Sequence, residues 1–75
     1  MINIQELILF MRNGWVAMNK NREWWWFKDK PTLKYCVWSS NEIDVVNLQA
    51  LFNIAPVDDW KKSLIHVDEL LNEIK

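Results

Sequence analysis

Trp24-Trp25-Trp26-Phe27 is the stretch of this chain whose residue types could most directly meet a ligand. Indole faces stack on flat rings, the indole N–H donates a hydrogen bond, and Trp and Tyr are common anchors of protein contacts. In an extended strand alternate side chains point to opposite faces, so Trp24 and Trp26 share one face while Trp25 and Phe27 share the other. One pair can be core. Both can be core only if the sheet is covered on both sides, which is difficult for a chain of 75 residues. The expectation is an aromatic sheet face left open to a partner or buried in an oligomer. If residues 23–28 and 32–38 pair across Pro31, Lys28, Lys34, Tyr35 and Trp38 gather beside it. The candidate binding set is then Trp24, Trp25, Trp26, Lys28, Lys34, Tyr35 and Trp38.

Such a set is compatible with several uses. Trp25, Trp38 or Tyr35 could stack on a base with Lys28 and Lys34 near its phosphate, as in a small-nucleotide sponge. The same aromatics could anchor a partner protein, or a second copy of the chain in a structural homo-oligomer. They could also be plain core, since each aromatic buries roughly 150–250 Å² in a domain short of apolar area.

Catalysis is poorly served. His66 is the only histidine and Cys36 the only cysteine. With Asp68 they supply the types for nucleophilic chemistry, but their spacing gives no reason for them to meet. Asp58 and Asp59 read as acids at a helix start, and Asp68, Glu69 and Glu73 as a solvated helix face. One glycine excludes a glycine-rich phosphate loop, and one cysteine excludes a multi-cysteine zinc site. The expectation is a non-enzymatic protein with no cofactor and no metal.

Composition narrows the partner. Nine basic and ten acidic residues give a net charge of −1. Long nucleic acid asks for many Lys/Arg–phosphate contacts, so it is not expected as a ligand. The lone cysteine forbids an internal disulfide, which favours the cytoplasm over secretion. Leu7-Ile8-Leu9-Phe10-Met11 is too short to span a bilayer and follows Glu6 rather than a basic segment, so neither membrane insertion nor a signal peptide is expected.

The elements that must position these residues fit one domain over residues 1–75. Ile4, Leu7, Ile8 and Met11 recur at helical spacing, behind an Asn3/Glu6 pair with capping-box spacing, and Gly14 is suited to end the helix. Trp15 to Asn19 reads as a strand, Asn19 to Arg22 as a turn, and Glu23 to Lys28 as a second strand. Pro31 interrupts. Thr32 to Trp38 reads as a further strand, Glu42 to Val46 as a short fourth, and Asn47 to Ile54 is ambiguous between a helical turn and an extended stretch. Val57, Trp60, Leu64, Val67, Leu71 and Ile74 then repeat at intervals of three and four, which predicts a helix from about 57 to 74 started by Pro56. The fold class expected is α+β: an N-terminal helix, a three- or four-stranded antiparallel sheet in a meander, and a long C-terminal helix packed on one face.

Trp26-Phe27, Lys30-Pro31, Trp38, Phe52-Asn53-Ile54 and the run from Asp59 to Ile65 together give the chain a texture that resembles small uncharacterised proteins of phages and prophages. The resemblance spans about half the chain and carries no assigned activity. It implies an accessory protein that acts by binding, either to a host protein such as a defence enzyme or to a nucleotide messenger.

Overall fold

A computed structural model describes residues 1–41 and 43–74 of the chain, the side chain of Ile74 excepted. The expected α+β architecture is present. In chain order the elements are α1 (Ile4–Ile8), β1 (Trp15–Met18), β2 (Trp24–Phe27), β3 (Thr32–Lys34), β4 (Val37–Ser39), β5 (Val45–Asn47), α2 (Leu48–Leu51), a 3-10 turn (Trp60–Lys62), β6 (Ile65–His66) and α3 (Val67–Ile74). The main sheet has the order β5-β2-β1-β6, and β3 and β4 form a separate two-stranded sheet. Every ladder is antiparallel. A single parallel bridge, Ile2 to Ile54, ties down the N-terminal residues.

Local chemistry accounts for most of these boundaries. Helix α1 buries Ile4, Leu7 and Ile8, the face the spacing predicts. Its start differs from the expected capping box. Asn3 holds the N-cap position with extended backbone, but its side chain makes no capping bond, and its carbonyl accepts from the Glu6 and Leu7 N–H groups instead. The helix also stops well before Gly14, closing through tight bonds from Phe10 to Leu7 and from Met11 to Ile8. Gly14 has φ +99° and instead turns the chain into β1, directly beneath the Trp26 indole. The β1–β2 hairpin closes where the polar turn was expected, with the Asn19 N–H on Glu23 O and the Arg22 N–H on Asn19 O. Arg22 takes the left-handed position of that loop, at φ 70°.

The register places Trp15 opposite Phe27, Val16 opposite Trp26, Ala17 opposite Trp25 and Met18 opposite Trp24. One face thus carries Val16, Met18, Trp24 and Trp26. Against it pack Ile4, Leu7, Ile8, Leu48, Ile54 and Val67, so all three helices contribute to one core. Burying each large aliphatic side chain there contributes about 1.5–3 kcal/mol relative to leaving it exposed.

The other face is where the structure departs from the sequence reading. It carries Trp15, Ala17, Trp25 and Phe27, and it is not open: Ala17 and Phe27 are buried. Strands β2 and β3 do not pair across Pro31. β2 takes β1 and β5 as neighbours, while Thr32–Trp38 splits at Tyr35-Cys36 into β3 and β4. The hairpin so formed returns Trp38 over the second face, and Pro31 at its root is fully buried. A short chain covers both sides of a sheet by spending only about ten residues on an inserted hairpin.

The C-terminal segment is helical only in its last part. Helix α3 begins at Val67, not near Val57. Pro56 starts no helix, and Asp59 caps the 3-10 turn by accepting from the Lys61 N–H. At the break, the Ser63 hydroxyl accepts from the Met18 N–H at 2.8 Å, which ties the chain beside β1. Ile65 and His66 then pair with Val16 and Trp15. Edge pairing with β1 outweighs continuing the helix through 60–66. The expected fourth strand lies later than predicted, at Val45–Asn47; its predicted start, Glu42, is outside the described residues. Asn47 to Ile54 proves to be both options in sequence, since Asn47 ends β5 and caps α2 by accepting from the Gln49 and Ala50 N–H groups. No helix among the described residues is long and apolar enough to cross a membrane.

Candidate functional site

The tryptophans divide by what their indole N–H groups do. Trp24 is fully buried and donates to Ala55 O at 3.1 Å. Trp26 packs against the helical core, lies over Gly14 and donates to Asn13 O at 2.8 Å. These two hold loops to the sheet and present no free donor. Trp38, on β4, donates through Nε1 to Trp60 O at 3.1 Å, while its backbone N–H donates to Asn19 Oδ1 at 2.7 Å. Those bonds fasten the β3–β4 hairpin to the β1–β2 turn and to the 3-10 turn. Trp25 differs from all of them: its Nε1 is buried and has no hydrogen-bond partner.

Between the hairpin and the second sheet face lies a cleft of about 240 Å³, lined by Asn19, Trp25, Phe27, Trp38, Ser39, Ser40 and Val45. It is lined by aromatic and small polar side chains, and among the described residues no charged side chain lines it. Trp25 and Trp38 are therefore the two members of the expected binding set that the fold brings together. Lys28 and Lys34 do not line this cleft. Lys28 is exposed, with its Nζ 3.8 Å from Asp44 Oδ2. Lys34 follows Leu33, whose register partner is Trp38, so Lys34 projects from the opposite face of the hairpin.

Tyr35 stands apart. It is 98% exposed at the hairpin turn, and its φ of 56° lies in the left-handed region. The register pairs Lys34 with Val37, leaving Tyr35-Cys36 as a two-residue loop. Positive φ at the first loop position is what a type II′ turn requires, and glycine ordinarily supplies it. All residues from Thr32 to Val37 are exposed, with Leu33 and Val37 adding apolar surface.

The groups weighed for catalysis are not assembled. His66 stacks on Trp15, with ring centroids 3.9 Å apart and planes 10° from parallel. Its Nε2 is 3.6 Å from Asp68 Oδ1 and its Nδ1 3.6 Å from Glu69 Oε1, both longer than hydrogen bonds. Asp68 Oδ1 accepts the Gly14 N–H at 3.0 Å, a structural task. Cys36 is exposed in the β3–β4 turn, on a different element. Asp58 and Glu69 are exposed. Among the described residues, no three His, Cys, Asp or Glu side chains are grouped to hold a metal ion.

Sequence reasoning missed Asn19, Ser39 and Val45 as cleft residues and Ser63 as the residue that sets the C-terminal path. Asn19 carried a signal only for a turn. Nothing local to Ser63 announces that its hydroxyl meets a backbone group of β1.

No family model, no curated protein and no solved structure matches this chain.

Proposed function

We propose that this protein is a small non-enzymatic binding module that engages a partner protein through the tip of the β3–β4 hairpin. The observation that carries this reading is Tyr35, a large aromatic side chain held fully exposed at a left-handed backbone position. A non-glycine residue there costs of order 1–3 kcal/mol, and strain of this kind is concentrated at sites of function. Leu33 and Val37 extend the apolar surface, Lys34 adds a cation, and among the described residues no further strand pairs with β3 or β4. A partner strand could add to the β3 edge while Tyr35 fills a pocket, the usual division between backbone affinity and side-chain specificity; the β4 edge already gives its Trp38 N–H to Asn19.

This moves the expected contact from the sheet face to the hairpin. Trp24 and Trp26 are core, whereas Lys34 and Tyr35 stay in the contact set. The partner we propose is a host-cell protein, one of the two classes that the phage-protein resemblance implies. An exposed unpaired thiol at Cys36 suits the reducing cytoplasm we propose as its location.

Cys36 also supplies the test, because it adjoins Tyr35. A thiol-directed photocrosslinker placed on Cys36 should trap one partner protein in host lysate, and Tyr35→Ser should abolish the trapping without lowering the melting temperature. Equal trapping by Tyr35→Ser, or none by either protein, ends this reading. A crosslink between two copies of the chain, with a dimer on sedimentation, would replace it with self-association.

A further inference from the structure

We propose that the cleft between the β3–β4 hairpin and the sheet is a separate small-molecule site, and that it takes a neutral, flat heteroaromatic ring of the nucleobase class. The walls are Trp25, Phe27 and Trp38, whose π faces suit a flat ring. Trp25 also carries a buried indole N–H with no partner. Buried donors are nearly always paired, so an unpaired one on a residue that lines a cleft calls for an acceptor. Carbonyl oxygens and ring nitrogens of nucleobases are such acceptors.

Size and charge set the limits of the ligand. A cleft of about 240 Å³ is smaller than the pockets of roughly 300–1,000 Å³ that enclose drug-sized molecules, so it holds a base and not a whole nucleotide. Among the described residues no charged side chain lines it, and Lys28 and Lys34 are directed elsewhere. A phosphate attached to the base would remain in solvent and gain nothing. The hairpin forms the outer wall and is fastened through Trp38 to Asn19 and Trp60. Because Trp25 Nε1 is shut off from solvent, the hairpin wall must shift so that an acceptor on the ring reaches it. The site is independent of the Tyr35 tip.

The six tryptophans give distinct indole N–H signals for a titration followed by nitrogen–proton correlation spectra. The probes are adenine, adenosine and adenosine monophosphate, then uracil and uridine. The expected result is a saturable downfield shift of the Trp25 indole proton with at least one of these bases. The matching nucleoside should bind about as well, and the monophosphate should bind no tighter than adenosine. Val45→Phe narrows the cleft while keeping the Trp25 side chain as the probe, and should weaken binding at least tenfold; Trp25→Phe should weaken it severalfold while the other indole signals stay in place. The proposal is overturned if the Trp25 signal does not move at millimolar concentrations of any probe. It is equally overturned if the shift survives Val45→Phe in a folded protein, or if the monophosphate binds much more tightly than the nucleoside.

Discussion

Gly14 and Ser63 do at single positions what no neighbouring residue could. Gly14 sits at φ +99°, and a Cβ there would lie 2.7 Å from Phe27 O and 2.6 Å from Trp26 Cε2, with Trp26 Nε1 closer still. Both strain and collision oppose any side chain, and the colliding atoms include backbone. Gly14→Ala should therefore cost about 2–4 kcal/mol of stability, read as a lower urea midpoint with an unchanged slope. Ser63 is buried and holds the Met18 N–H. Ser63→Ala leaves that donor unpaired, at a cost of about 1–3 kcal/mol. If Ser63→Ala melts with the native protein, the hydroxyl does not fix the C-terminal path. The aromatics show how far residue types alone could be read. Alternation correctly divides Trp24 and Trp26 from Trp25 and Phe27, because pleating is a local property of a strand. Which indole N–H finds a partner depends on Ala55, Asn13 and Trp60, and no spacing rule reaches those residues.

At the scale of elements, the two hairpins differ in what supports them. β1 and β2 are central strands with neighbours on both sides, and their side chains fill the core. Their turn was legible because Asn19-Lys20-Asn21-Arg22 separates two apolar runs. β3 and β4 pair only with one another, and their turn uses Tyr35 where glycine would be unstrained. Tyr35→Gly should raise stability by about 1 kcal/mol, provided relief of strain exceeds the added entropy of the unfolded chain. The same substitution should remove partner binding. Thermal melting and crosslinking then move in opposite directions, which a residue with a purely structural role would not produce. The hairpin was read as one strand because Thr32 to Trp38 contains no Gly, Asn or Asp to mark a turn.

For the whole molecule, an inserted hairpin lets a short chain bury two sheet faces, and the second face is more thinly covered. The helical side contains Ile4, Ile8, Val16, Trp24, Ile54 and Val67, all essentially inaccessible to solvent. On the hairpin side Trp38 is half-buried and residues 32–37 are exposed. Opening of the hairpin should therefore be much less costly than global unfolding. Amide exchange should be slowest in β1 and β2 and fastest in residues 32–37, with the Trp38 amide slower than its hairpin neighbours because Asn19 accepts its N–H. Uniform protection across both hairpins would show that the protein opens as a single unit.

The sequence by itself determined the α+β class, the buried face of α1, the β1–β2 hairpin, the alternation within β2 and the existence of a C-terminal helix. Each follows from side-chain spacing or turn chemistry within a few residues. Tertiary structure alone decided the second partner of β2, the placing of the hairpin over Trp25, and the start of α3 at Val67. Those outcomes turn on contacts between distant segments, such as Ser63 with Met18 across 45 positions. The regular spacing from Val57 to Ile74 was compatible with a helix throughout. A free edge on β1 offered residues 65 and 66 backbone hydrogen bonds and a stack against Trp15, and the fold took that alternative.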